Sequence, residues 1–276
     1  MSKTKKTIAI HDLSGRGHCS LAAVLPILTV MGIEVCPLPT AVLSTQTDGY
    51  TDYSFVDLTP SWAPHLAHWQ KEAMTFDCIY SGFLGSCQQL QLVGQIIDGF
   101  AKEDTLVLVD PVLGDNGSLY DTMTDEMVKG MRRLIGKAQV ITPNYTEVLL
   151  LLDEPYQMHS QQKIEEFLRT LSQEGPALII ATSVPQADGM YTLIYQKSTD
   201  TCTAICNHLI DAHYPGTGDI FAAVVCALLL KGRTPQQAVA SAGDFVREGI
   251  ALSVQEHQPP REGIVLEKII TKLLEY

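Results

Sequence analysis

Short runs that are apolar throughout, separated by segments of helical period, restrict the fold of this chain more tightly than any other feature. The β-rich runs are KTIAI (6–10), IEVCPL (33–38), FDCIY (76–80), TLVLVD (105–110), AQVIT (138–142) and ALIIAT (177–182). Between them lie 20–31, 86–100, 124–135 and 160–173, which read as helices. A strand with no polar alternation is buried on both faces, and a helical connection brings the chain back to a parallel neighbour through a right-handed crossover. The expected fold is α/β: a three-layer αβα, doubly wound, mostly parallel central sheet. MYTLIYQ (190–196) and TCTAICNHL (201–209) are separated only by the turn-like KSTD, so an antiparallel hairpin is expected at one sheet edge. From Asp219 onward the pattern is mostly helical. No internal repeat, low-complexity tract or linker interrupts the chain, and residues 1–276 are expected to form one domain.

Charge and cysteine usage remove several function classes. With 31 acidic and 19 basic side chains the chain carries a formal charge of −12, which repels a phosphate backbone, so no nucleic-acid partner is expected. No apolar run approaches the roughly 18 residues of a membrane span. The 7 cysteines include no CxxC pair and read as reduced thiols, consistent with a cytoplasmic protein.

Open parallel sheets bind ligands beyond the C-terminal ends of their strands. The segment GTGD (216–219) stands directly before a long apolar helix. A helix start presents unpaired N–H groups and about half a positive charge, which attracts anions. Gly216 and Gly218 let the backbone close on a phosphate oxygen. Asp219 has two possible jobs in such a place. It is either a first-turn acid that favours the helix dipole, or a general base that takes the proton from an alcohol while the amides hold the phosphoryl group under attack.

The combination of GTGD with an apolar helix resembles the ribokinase-like superfamily of small-molecule kinases. VDPVLGDNGSLY (109–120), ITPNYTE (141–147) and STQTDGY (44–50) are similar to the DPVxGD…GxxY, TPNxxE and SNHTGY segments of pyridoxal/pyridoxamine kinases, and IATS (180–183) falls where that family has Thr-Ser after a strand. The matches keep the family's order along the chain. The resemblance implies one ribokinase-like kinase domain, 1–276, that transfers phosphate from ATP to the 5′-hydroxymethyl group of a B6 vitamer. It assigns catalysis to Asp219 as base, with Gly216, Thr217 and Gly218 as the anion pocket. Asp110, Asp115, Thr142, Asn144, Glu147, Thr182 and Ser183 are implied to serve the nucleotide and its cation. Among them Asp110, Asp115 and Glu147, with Tyr120, form the implied metal set for Mg2+ and a monovalent cation (K+ or Na+). Asp12, Ser14, Thr47 and Tyr50 are implied on the vitamer side, with His11 secondary. A homodimer is implied by analogy alone.

At IHDLSGRGHC (10–19) the chain departs from the QSH of pyridoxal kinases, and Asp12 is the residue type found in related pyrimidine kinases. Hydroxymethylpyrimidine kinase on the same scaffold is therefore the alternative. The STQT loop and the DNGSLY extension favour pyridoxal. GRGHCS (15–20) lacks the third glycine of a dinucleotide fingerprint, and no GxxxxGK[ST] is present. Segments 45–55 and 113–121, rich in glycine and polar residues, are candidates for a cover that excludes water.

Overall fold

The computed structural model describes residues 3–208 and 210–276. Leu209, the end of the expected hairpin, lies outside the described residues. The chain begins with β1 (Lys6–Ile10), β2 (Leu13–Ser14), α1 (Leu21–Val30), β3 (Glu34–Pro37), β4 (Ala41–Leu43), β5 (Phe55–Asp57), α2 (Thr59–Lys71) and β6 (Cys78–Ser81). It continues through α3 (Cys87–Phe100), β7 (Leu106–Val109), β8 (Gly114–Asp115), β9 (Ser118–Leu119), α4 (Asp125–Ile135), β10 (Val140–Ile141), α5 (Tyr145–Leu152) and α6 (Gln161–Gln173). The last elements are β11 (Leu178–Gln186), β12 (Gly189–Gln196), β13 (Thr201–Asn207), α7 (Thr217–Leu230), α8 (Pro235–Gln255) and α9 (Leu266–Ile269).

The main sheet has the strand order β13-β12-β11-β10-β7-β6-β1-β3. β1 pairs parallel with β3, and β10 pairs parallel with both β7 and β11, whereas β11, β12 and β13 form an antiparallel meander. The expected edge hairpin is β12-β13. One boundary differs from expectation, because β11 runs to Gln186 instead of stopping at 182. Its register with β12 shifts between Ala181 and Val184, so Thr182 and Ser183 stand in a bulge, with Ser183 at φ 54°. A bulge bends its strand and re-aims the side chains it carries.

Two compact units divide the chain, one made of Met1–Tyr80, Lys102–Thr105 and Ile210–Tyr276 and the other of Ser81–Ala101 and Leu106–Leu209. In the first, Ile8, Ala9 and Ile10 of β1 have no exposed surface. Every residue of α7 from Ile220 to Leu228 is buried, as expected of a helix that is apolar all round. α7 packs on α1 and α8. A small sheet β2-β4-β5 also belongs here, and its register aligns Leu13 with Val42 and Val42 with Val56. α2 was not expected, because Pro60 and Pro64 break up TPSWAPHLAHWQK and only Trp62 and Trp69 among its apolar side chains are buried.

The second unit packs α3 on α4 and α5 on α6 and β11. Ser86, Thr124 and Ser160 each accept a backbone N–H from the first turn of the helix that follows, so α3, α4 and α6 start where such caps stand. α5 begins with a capping box in which Asn144 and Glu147 bond each other's backbone N–H groups. No described helix is long and apolar enough to cross a membrane.

Candidate active site

The residues singled out in the sequence gather into two clusters, one in each unit. The first is built around the start of α7. Gly216 sits in the left-handed region at φ 83°, and a Cβ there would stand 2.0 Å from His18 O and 2.9 Å from Cys19 Sγ. Only glycine lets the helix start come this close to the segment after β1. A Cβ on Gly218 would meet nothing within 4 Å, so space lies open beside it. No side chain caps the first turn of α7. Thr217 Oγ1 turns back to donate to Tyr214 O at 3.1 Å. The first-turn amides are left for an anion.

Asp219 Oδ2 accepts the Ser20 N–H at 2.9 Å, and its Oδ1 lies 4.0 Å from His11 Nδ1. Burial pushes the Asp219 carboxyl up to about 7, with a smaller push from Asp12 and an opposing pull from the Ser20 amide. A carboxyl poised near neutrality suits a general base. Asp12 is buried and held above the usual carboxylate range by that burial, against the opposing pull of the Ser20 and Ser14 side chains. Ser14 Oγ donates to Asp12 Oδ2 at 3.0 Å. Ser20 therefore stands between the two acids, its N–H bonded to Asp219 and its hydroxyl near Asp12. It does so at φ 50°, a strained place for a non-glycine residue.

Thr47 is exposed and Tyr50 half-buried on the loop that follows β4. Its anchor is Gln46, a buried residue that sequence reasoning missed. Gln46 accepts the Asp48 N–H and donates to Asp48 O and to Arg261 O. The Arg261 guanidinium lies 5.0 Å from the Tyr50 ring centroid, a cation–π contact that covers one face of the ring. Beside this loop is a cleft of about 450 Å³ lined by Asp48, His213, Pro215 and Arg261 among others. Pro215 joins it to Gly216, while Asp219 does not line it. Ser20 and Arg261 carry no motif, and the sequence singled out neither as a site residue.

The second cluster joins the ends of β7 and β10 to the start of α5. Thr142 Oγ1 donates to Asp110 Oδ1 at 2.8 Å. Glu147 Oε1 accepts the Leu113 N–H at 3.0 Å and Oε2 the Asn144 N–H at 2.7 Å. Asn144 Oδ1 accepts the Glu147 N–H, and its Nδ2 donates to Gly114 O. Asp110 and Glu147 are both buried, and burial together with the Asp110 charge drives the Glu147 carboxyl well above the usual range. Two interior acids that repel each other mark a place where positive charge would be stabilising. Among the described residues no three acidic, histidine or cysteine side chains converge as a ready metal cage. Two buried carboxyls beside each other are oxygen donors of the kind that suit a hard cation such as Mg2+.

The other members of the cluster are placed less tightly. Asp115 accepts hydrogen bonds from Asn116 N and Nδ2 on the β8-β9 hairpin, and Tyr120 is exposed. The Gly117 N–H donates to Thr146 Oγ1 at 3.0 Å, tying the hairpin to α5. Thr182 bridges to Asn144 through a parallel β-bridge, and its N–H donates to Pro143 O at 2.9 Å. Ser183, next in the bulge, is exposed.

The family described as phosphomethylpyrimidine kinase matches residues 21–261. A pyridoxine/pyridoxal/pyridoxamine kinase of Bordetella avium is 28% identical over 245 residues, covering 85% of this chain and 81% of its own. A Bacteroides thetaiotaomicron protein described under the phosphomethylpyrimidine kinase name, and crystallised with pyridoxal, is 46% identical with a TM-score of 0.94, over 98% of this chain and 96% of its own. Pyridoxal kinase from Lactobacillus plantarum is 32% identical with a TM-score of 0.91, over 99% of this chain and 98% of its own. The three-layer, mostly parallel fold expected from the βαβ pattern is the fold of these proteins. Matched in this way along nearly its whole length, the chain belongs to the phosphomethylpyrimidine kinase family and stands among the pyridoxal kinases of the ribokinase-like superfamily.

Proposed function

We propose that this protein phosphorylates the 5′-hydroxymethyl group of a B6 vitamer with ATP, by direct in-line transfer. The observation that carries the reading is Asp219, whose carboxyl is raised to about 7 beside an uncapped helix start and the open space at Gly218. Asp219 takes the alcohol proton, the freed oxygen bonds to the γ-phosphorus, and the bond to the β-phosphate oxygen breaks to release ADP. The amides of Gly216, Thr217 and Gly218 donate to the spreading negative charge. A relative crystallised with pyridoxal supports a B6 vitamer over hydroxymethylpyrimidine as acceptor.

Asp110 and Glu147 would hold Mg2+ through its water shell, with Asp115 and Tyr120 as further donors to it or to a monovalent cation. The metal would neutralise phosphate charge. Thr142, Asn144, Thr182 and Ser183 are assigned to the nucleotide phosphates, and Asp12, Ser14, Thr47 and Tyr50 to the vitamer ring. Phosphorylation of pyridoxal, pyridoxamine, pyridoxine and hydroxymethylpyrimidine in parallel tests the reading. Turnover confined to the pyrimidine, or none at all, would refute it.

Residues 1–276 are read as a single kinase domain, supported by one family match running from 21 to 261. The homodimer is assigned to the small sheet, where the aligned side chains of Leu13, Val42 and Val56 are 36%, 39% and 53% exposed. Three apolar side chains in a row on an outer face favour burial against a second copy. Sedimentation should give a dimer for wild type and a monomer for Val56→Asp; an unchanged mass for the variant would remove this surface. Seven free cysteines agree with a reducing, cytoplasmic setting.

A further inference from the structure

His11 directly follows β1, has no exposed surface, and has no hydrogen-bond partner at either ring nitrogen among the described residues. Its ring stands edge-on to Tyr80, with centroids 4.4 Å apart and planes at 80°. Burial pushes its pKa down to about 3, so the imidazole is neutral and offers one N–H donor and one acceptor. Buried polar groups are normally paired, and a ring with both positions unmade calls for an explanation. Nδ1 is the nitrogen on the Asp219 side, 4.0 Å from Oδ1. The two oxygens of Asp219 are unequal: Oδ2 holds the Ser20 N–H, and among the described residues no hydrogen bond to Oδ1 accompanies it.

We propose that His11 is a positioning residue for Asp219: with its proton on Nδ1, the imidazole donates to Oδ1 as the vitamer alcohol docks. An ionised carboxylate oxygen has two lone-pair sites. One would hold the His11 proton and the other would receive the proton of the alcohol, so the plane of the carboxylate is set from both ends. Closing the gap needs about 1 Å of side-chain movement to reach hydrogen-bond distance. His11 itself neither gains nor loses a proton. This rests on the kinase reading above and deepens it by separating the group that takes the proton from the group that aims it.

The donor would also moderate the burial that raises Asp219. The groups that face Asp219 are Asp12 and the Cys19 thiol from the segment after β1, Ser20 at the start of α1, and His11 with Tyr80 behind it. Asp12 raises Asp219 and the Ser20 amide lowers it; the Cys19 thiol is a weak donor, so His11 is the strong donor that a small movement would bring to Oδ1.

Asparagine can place its Nδ2 where the imidazole has Nδ1, while leucine cannot donate. His11→Leu is expected to lower kcat about 10- to 100-fold with the vitamer KM within about twofold, and to move the acid limb of the kcat profile up by about one pH unit. His11→Asn is expected to stay within about threefold of wild type, with its limb in place. An unmoved limb in His11→Leu would overturn the proposal, and so would a His11→Asn enzyme as damaged as His11→Leu while both melt cooperatively. Nitrogen NMR of the wild-type ring, with vitamer and a non-hydrolysable ATP analogue bound, reads the tautomer without turnover. A proton on Nδ1 supports the proposal and a proton on Nε2 refutes it, independently of any kinase assay.

Discussion

Asp219→Asn should make the protein both more stable and nearly inactive, and the two effects have one cause. The Asp219 carboxyl rises from 3.8 to about 7 on folding, chiefly through burial. Between those values the folded state binds the proton more tightly than the unfolded state, so stability falls as pH rises. The loss is absent below 3.8 and complete above about 7. At 1.36 kcal/mol per pH unit the shift corresponds to a ceiling of roughly 4 kcal/mol. The side chain is 14% exposed, which trims the figure to about 2–4 kcal/mol. Asparagine keeps an oxygen for the Ser20 N–H and never ionises. The variant is therefore expected to match wild type within about 0.5 kcal/mol at pH 4 and exceed it by about 2–4 kcal/mol at pH 8. For a chain of this size that is about 4–12 °C in Tm. Its kcat should fall by roughly 10²–10⁴. Urea unfolding at both pH values, beside steady-state turnover of pyridoxal, measures both effects. A variant no more stable than wild type at pH 8 would show that Asp219 is not held in a desolvated site, and the argument for a poised base would fail with it.

Other outcomes follow from single contacts. Gly216→Ala should abolish activity and destabilise by more than about 2 kcal/mol, because the added Cβ meets His18 O at a backbone φ that disfavours side chains; thermal melts and kinase assays check this. Glu147→Ala leaves the Leu113 and Asn144 N–H groups without their acceptor and should lose about 2 kcal/mol in urea unfolding, with the hydrogen-exchange protection of Leu113 reduced. Ser14→Ala removes the hydroxyl that donates to Asp12 Oδ2, so vitamer KM should rise about 5- to 10-fold while the acid limb of kcat stays in place.

What could be read from the chain and what could not divides along physical lines. Strands such as β1 and β7 were legible because burial on both faces demands continuous apolar runs. Helices α3, α4 and α6 were legible from their period, and the structure adds side-chain caps at Ser86, Thr124 and Ser160. α2 and α5 were not read as helices. In α2 two prolines interrupt the pattern, and YTEVLLLL in α5 is too short and too uniformly apolar to reveal a period. The short strands of the small sheet lie in loops by composition, and only their hydrogen bonds define them. At the site, motifs led directly to Asp219, Asp110 and Glu147. They could not reveal that the Ser20 amide holds Asp219, or that Gln46 holds the loop after β4 through Arg261 O. Such roles depend on backbone groups brought together from distant positions, and backbone groups leave no trace in composition.

The conflict at Asp219 also explains why α7 is built as it is. Holding that carboxyl in a desolvated place works against folding by up to about 4 kcal/mol above pH 7. Gly216 adds conformational freedom that folding must remove, and no side chain caps the helix above it. A short amphipathic helix with a bare start would fray under those conditions. α7 instead buries every residue from Ile220 to Leu228, and each large apolar side chain there contributes about 1.5–3 kcal/mol. Phe221, Val224, Val225 and Leu228 alone outweigh the ionisation penalty. The anchoring begins immediately after the acid, so the turn that carries Asp219 can remain uncapped and open to an anion while the helix behind it stays in place. An all-apolar helix directly following an acid is thus a mechanical requirement of this kind of base.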